Sequence, residues 1–500
     1  MVKPLQLAPF RARERAKAPP MHHRLRIAAG LCLALCPFAL NHAALAGGFE
    51  VGENGSFAVS RGAAFTVRAD DLTAISHNPA GLIHLRGTSI QLSHNTVGAH
   101  LQFTRSPTLL AHDPNPAGTD PTAPVQNQSP WFALGGMGIV ASDLGTKDFV
   151  FALGMYGPSA SGSQSWAKDG GQRYMLTSMD VLMVYYSAAI AWGKRDHYSL
   201  GLTLQLAHEL TTKLSLMVDG TTGGAIAPYY SPTDVESTIH LSAKPAPTAI
   251  AGGWYRLNDN WELGASGRVM PAYMHGTGNI TLANSARSGF TAKQLEVKDN
   301  TAALNLIIPP TAKVGVRYRG MDGATERWDL ELNFVYEAWS MMTAYDLNLT
   351  GKIQLFASAD APNVIIARNW KDTLAVRLGG TYNLPNLPLS LSAGAYGETG
   401  AVPQNYEYID FPSYNRLGLS GGVQGHFGVV EGSLGYMHVF QEDRTTSELT
   451  AKIYQQRPVA PCPAQCTSAD GKVQYAGAPS NSGTYQTSFD IISVSAQYKF

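Results

Sequence analysis

The sequence predicts an all-β protein, a transmembrane antiparallel β-barrel of about fourteen strands. Three observations lead there. Apolar and polar residues alternate along many short segments. Short connections alternate with long ones. The final strand-like segment ends on an aromatic residue, Phe500.

Composition sets the frame. The chain has 500 residues, 50 of them Gly, with 15% charged and 44% hydrophobic residues. That mixture suits many strands joined by turns, and one large barrel can use the whole length. The formal net charge of zero conceals an uneven distribution. The first 46 residues carry seven Lys or Arg and one acid, leaving 30 basic against 36 acidic residues, a net of −6. A mildly acidic chain gives no electrostatic basis for binding nucleic acid.

Residues 1–46 read as an export signal. Arg24 and Arg26 form a basic start, and residues 27–40 are an apolar run broken only by small residues and Pro37. Ala44-Leu45-Ala46 then puts small residues at the two positions a signal peptidase reads, so cleavage before Gly47 is expected. The apolar run of fourteen residues is too short to span a bilayer. Met21 offers an alternative start. Cys32 and Cys36 would leave with the signal, and Cys36 follows Leu35 rather than the small residue a lipidation site carries. Cys462 and Cys466 stay behind in a Pro- and Ser-rich segment, where an oxidised loop staple is expected. With no nearby His or third Cys, a metal site there has no support.

Beyond residue 46 no apolar run is long enough for a membrane helix. A membrane protein without such helices must close its strands into a barrel, because every backbone polar group needs a partner inside lipid. The alternation that this demands is present. Leu200, Leu202, Leu204 and Leu206 alternate with Gly201, Thr203, Gln205 and Ala207. Trp328, Leu330, Leu332, Phe334 and Tyr336 alternate with Asp329, Glu331, Asn333, Val335 and Glu337. Successive strand side chains point to opposite faces, so one face is apolar and the other polar. A soluble sandwich also satisfies this pattern.

Loops and the C-terminus separate the two. Tight connections near 143–147, 193–197, 257–260, 320–325 and 383–386 alternate with long ones near 102–130, 211–236, 273–301 and 441–486. Short periplasmic turns opposite long external loops mark an outer-membrane barrel. Ile492, Val494, Ala496, Tyr498 and Phe500 alternate with polar residues to the last position, like the signal read by the barrel-insertion machinery.

Residues 47–87 alternate poorly and precede the first strand, which is expected at Thr88. They contain Gly47-Gly48-Phe49 and His77-Asn78-Pro79-Ala80-Gly81, the latter being turn chemistry. Behind an export signal and ahead of a barrel, this segment resembles the plug, or hatch, of the FadL/TodX family of outer-membrane transporters of long-chain fatty acids and other hydrophobic compounds. Gly154 to Pro158, Ile308-Pro309-Pro310, Tyr336-Glu337-Ala338-Trp339-Ser340, Trp370-Lys371-Asp372-Thr373 and Val402-Pro403 follow the family order. The long segment 104–130 and the cysteine-bearing loop depart from it.

The resemblance implies a plug inside the lumen over 47–87 and a barrel over 88–500. It implies passive uptake of a fatty acid or related hydrophobic compound, captured at extracellular loops and released sideways after hatch movement. Asn78, Pro79 and Ala80 are the candidate hatch element. Gly47, Gly48 and Phe49, as the mature N-terminus, would face the ligand. Arg173 and Arg368 are candidate partners for a carboxylate, although arginines paired for structure alone fit the same positions. Gly154 and Gly157 stand where the family has its wall opening. Expected partners are the hydrophobic ligand, outer-membrane lipid and lipopolysaccharide, and the insertion machinery through Phe500. No cofactor or metal is expected, and a plugged barrel closes as a monomer. No Gly-x-Ser-x-Gly elbow or His-Glu-x-x-His pair points to an enzyme. A general porin or a surface adhesin are the other readings, and a porin has no dedicated plug. Mass spectrometry of the exported protein should find Gly47 at its N-terminus; a chain in the outer membrane still starting at Met1 or Met21 would overturn the signal assignment.

Overall fold

The computed structural model describes residues 48, 53–106, 122–133, 136–158, 162–220, 231–355, 358–361, 363–455 and 479–500. The expected export signal, Gly47, Phe49, Cys462 and Cys466 lie outside them. Fourteen strands close a wall. They are β1 (Thr88–Arg105), β2 (Met137–Ser142), β3 (Phe149–Tyr156), β4 (Ser178–Lys194), β5 (Tyr198–Asp219), β6 (Ala246–Arg256) and β7 (Trp261–Met270). Then follow β8 (Thr311–Asp322), β9 (Thr325–Glu337), β10 (Thr373–Asn383), β11 (Leu389–Glu398), β12 (Arg416–Phe427), β13 (Val430–Gln441) and β14 (Gly483–Lys499). Each pairs antiparallel with its neighbours in sequence order, and β14 returns to β1 from Ser89 against Lys499 to Arg105 against Gly483. The closed ladder leaves no edge in the ring.

Alternation sorts the two faces. Along β9, Trp328, Leu330, Phe334 and Tyr336 are exposed outward while Asp329, Glu331 and Asn333 are buried in the lumen. Leu200 to Leu206 on β5 and Leu374, Val376 and Leu378 on β10 repeat the outward apolar row. In water such rows would be unfavourable; against acyl chains they are matched. Trp192, Trp261, Trp328 and Tyr498 stand exposed near the short-turn end and form an aromatic girdle. The tight turns all lie at this end. Two of them use Gly323 (φ 63) and Gly428 (φ 65) in the left-handed region. Phe500 closes the same end, its N–H donating to the Thr88 carbonyl at 2.9 Å.

The opposite end differs from the sequence expectation. The segment 273–301 is mostly strand, not loop, and so are the described residues of 211–236. β5 runs on to Asp219, and Asp234–Ala243, Ala272–Asn284, Val297–Ile308 and Ala344–Ile353 pair into an upper sheet. Pro245, Pro271 and Pro309-Pro310 mark the breaks between storeys, since proline cannot donate to a ladder. Above the membrane the apolar row turns inward: Ile239, Leu241 and Ala243, and likewise Tyr345, Leu347 and Leu349, are buried while the residues between them face out.

The segment from Glu53 to Leu85 fills the lumen as a plug. It holds two short helices, α1 (Ser56–Ser60) and α2 (Ala74–His77), and a 3₁₀ segment (Pro79–His84). Helix α1 packs on β12, β13 and β14, and the 3₁₀ segment packs on β4, β5 and β6. Inward glycines make the seats. A Cβ on Gly252 would lie 2.0 Å from Asn78 Oδ1, one on Gly201 would lie 2.2 Å from the Ala80 nitrogen, and one on Gly379 would lie 2.1 Å from the Arg61 carbonyl. Only glycine lets the plug backbone approach the wall so closely.

Leu204 sits on the outward row about halfway up the band, so Leu204→Arg should destabilise the barrel by about 2–4 kcal/mol in lipid vesicles. Denaturant unfolding would measure it, and a change under about 1 kcal/mol would place Leu204 outside the hydrocarbon.

Candidate functional site

The plug is held by charge. Asp329 of β9 receives Arg61 at 2.7 Å, Arg68 at 2.8 Å and Arg317 of β8 at 2.8 Å. Two positions along, Glu331 accepts the backbone N–H groups of Val67 at 2.8 Å and Arg68 at 3.0 Å. Both carboxylates are fully buried. Sequence reasoning missed them as site residues. Their signal was present, since carboxylates on the lumen face of a strand demand cations.

A second tie lies above. Glu53 pairs with Lys313 at 2.8 Å, with Arg377, and with His77 at 3.4 Å. Burial works to raise its carboxyl, yet Lys313 and Arg377 hold it well below the usual carboxylate range. Asn54 beside it donates to the Gly157 carbonyl at 3.0 Å, linking the plug to the end of β3.

Above this arm, where β3 stops at Tyr156, opens a cavity of about 270 Å³. Met183, Met274, Leu304, Ile307, Met342 and Phe411 supply its apolar lining, and Gly157 and Pro158 form part of its edge. Its charged lining residues are Asp180 and Asp410; among the described residues no Lys or Arg lines it. A polar chamber of about 50 Å³ adjoins at Pro158 and includes Glu53, His77, Arg268 and Lys313.

Each sequence candidate can now be placed. Asn78 donates to the carbonyls of Thr66 at 2.8 Å and Gly253 at 3.1 Å, and its Oδ1 accepts from the Ala80 N–H at 3.1 Å. Asn78, Pro79 and Ala80 are fully buried between plug and wall. Gly48 lies against the Trp339 ring, 2.3 Å from where a Cβ would stand. Gly154 faces Ile75 of the plug, and Gly157 reaches the cavity. The two arginines are not brought together. Arg173 is buried against Asp234 at 3.1 Å, away from the cavity lining. Arg368, 1% exposed, holds Asp410 at 3.1 and 2.5 Å and stacks on Tyr345 and Tyr408 at 4.0 and 4.4 Å. Asp410 and Tyr345 line the cavity, and Arg368 stands behind them.

Residues 38–449 match the family described as outer membrane protein transport protein (OMPP1/FadL/TodX). The chain belongs to this family. FadL/TodX proteins are transport proteins, and the chain is accordingly an outer-membrane β-barrel. Its fold is similar to a FadL homologue of Pseudomonas aeruginosa, with TM-score 0.68 and 15% identity over 91% of this chain and 100% of that one. The Pseudomonas putida toluene transporter TodX gives 0.63 and 14% over 90% and 99%. The Ralstonia pickettii toluene transporter TbuX gives 0.58 and 12% over 90% and 100%. A putative outer membrane protein of Neisseria meningitidis serogroup B is 25% identical over 221 residues, which span 43% of this chain and 40% of that protein.

Removing Asp329 takes away the one carboxylate that Arg61, Arg68 and Arg317 share, leaving each with a remaining acid at Glu331, Asp70 or Glu262. Asp329→Ala should loosen the plug by about 3–5 kcal/mol. Hydrogen exchange would show faster opening of residues 56–77 with the β11–β13 amides unchanged; equal protection would remove Asp329 as the latch.

Two plug residues carry opposing pH effects. Burial pushes the Asp71 carboxyl up to about 6 against its Thr73 hydrogen bonds, and pushes the His84 imidazole down to about 4 against Glu262 and Asp70. The folded plug binds the Asp71 proton more tightly than the unfolded chain does, so this contribution weakens as pH rises from about 4 to 6. At His84 the unfolded chain is the better base, so this contribution weakens as pH falls from 6.5 to about 4. Asp71→Asn should leave plug protection rising with pH across that window, and His84→Phe should leave it falling. Matching flat profiles in both variants would contradict the assignment.

Proposed function

We propose that this FadL/TodX protein takes up uncharged hydrophobic molecules passively across the outer membrane. Cargo is captured among the extracellular segments and enters the apolar cavity. Movement of the hatch around Asn78, Pro79 and Ala80 then frees it, and it leaves sideways into the bilayer beside Gly154 and Gly157. The export signal over 1–46 and the hatch over 47–87 are part of this reading.

The observation that carries the choice of cargo is the cavity lining. A carboxylate placed there would meet Asp180 and Asp410, and burying an unpaired charge is strongly unfavourable. Arg368 is committed to Asp410, so a fatty acid would have to displace a like charge to reach it. An uncharged hydrocarbon meets no such barrier and gains about 0.8 kcal/mol per buried methylene. Space agrees, since a cavity of roughly 150 Å³ accommodates benzene and this one is about 270 Å³. Two of the structural relatives are toluene transporters. The plug, tied to the wall through Arg61 and Arg68, speaks against an open diffusion porin.

The test is uptake of labelled toluene and labelled oleate by cells lacking their own transporters. Toluene uptake should rise with the chain present and oleate uptake should not. Asn78→Ala, which gives up hydrogen bonds worth about 1 kcal/mol each, should alter the toluene rate at unchanged surface level. Oleate uptake without toluene uptake would sink the cargo reading.

A further inference from the structure

On the outward face of β14 and β1 the apolar pattern stops before the strands do, and on β13 it is broken at His438 below Phe440. Tyr498, Val494 and Ile492 of β14 face outward, but the next outward positions are Asp490, Ser488 and Gln486. At about 3.4 Å per residue and a tilt of about 40°, the step from Tyr498 to Asp490 climbs roughly 20 Å, close to the top of an apolar band about 25 Å tall. One strand beyond, Leu417 and Leu419 of β12 stay apolar beside Phe440 and His438. The interruption belongs to this sector.

Two hydrogen-bonded rows occupy it. In the lower row Asp490 holds His438 at 2.7 Å, the Tyr436 hydroxyl at 2.6 Å and His100 at 3.0 Å. In the upper row Gln126 donates to Gln102 at 2.8 Å, Gln102 to Gln486 at 2.7 Å, and Gln486 to Asp443 at 2.9 Å. A groove of about 480 Å³ runs along the upper row and reaches His100 of the lower one. Beside it the half-exposed Trp131 ring lies over Gly98 and meets His100 edge-on, their centroids 5.7 Å apart.

Each glutamine in the row keeps a second N–H and a carbonyl lone pair for an outside partner. Such groups are poorly matched to acyl chains and well matched to headgroups at that height. The partner's chemistry follows from the side chains. Among the described residues neither the rows nor the groove lining contains Lys or Arg, and two carboxylates are present, so a phosphate is poorly matched there. Hydroxyl groups find donors and acceptors in alternation, with an indole face for an apolar sugar face. We propose that this sector binds the saccharide of an outer-leaflet glycolipid through its hydroxyls.

The full-length protein in detergent would be titrated by native mass spectrometry with a neutral diglycosyl diacylglycerol, phosphatidylglycerol of the same acyl chains, and the free disaccharide. The wild type should prefer the glycolipid over phosphatidylglycerol by about tenfold. Gln102→Leu/Gln486→Leu and, separately, Trp131→Ala should lose that preference while keeping the heat-modifiable migration of a folded barrel. An equal preference for phosphatidylglycerol, or folded variants that bind as the wild type does, would overturn the proposal. So would free disaccharide binding as tightly as the glycolipid, which would assign the groove to soluble sugars.

Discussion

A hydrocarbon layer offers no partner to a peptide N–H or carbonyl, and that constraint governs this molecule. The ladder must close on itself, so β14 returns to β1 and the chain ends where the wall began. Closure fixes two faces with opposite demands. The outer one takes leucines and aromatics because it meets lipid. The inner one takes polar groups that must satisfy one another, because the plug shuts out most of the water.

The latch follows from that second demand. Asp329 and Glu331 are buried carboxylates that need partners, and the plug brings Arg61 and Arg68 to meet them. Buried ion pairs add little net stability relative to well-packed apolar groups, but breaking one is strongly unfavourable. Their effect here is positional. They fix the plug in one orientation, with α1 against one side of the wall and Asn78 against the other.

Much of the fold was legible because the lipid face writes itself into every second residue. The strand containing Trp328 to Tyr336 was visible from its alternation alone, and so was the last strand. The upper sheet was not, because its short apolar rows, such as Ile239 and Leu241 or Leu347 and Leu349, face inward and no lipid-facing row marks the strands. Of the site, Asn78, Pro79 and Ala80 stood out only through a likeness to a family, and the structure buries them between plug and wall. Arg173 and Arg368 stood out as charges, yet their partners Asp234 and Asp410 lie 61 and 42 residues away in sequence. Asp329 was in plain view on an alternating strand, but its three arginines come from the plug and a neighbouring strand, and only folding assembles them.

The proline breaks at Pro245, Pro271 and Pro309-Pro310 divide the wall into storeys with separate pairing partners. The lower storey answers to bilayer thickness, which fixes its height. The upper storey contributes Met274, Leu304 and Ile307 to the cavity and does not. The upper part of the cavity can therefore be reshaped by altering residues that never touch lipid, leaving the membrane-embedded ring to be built as before.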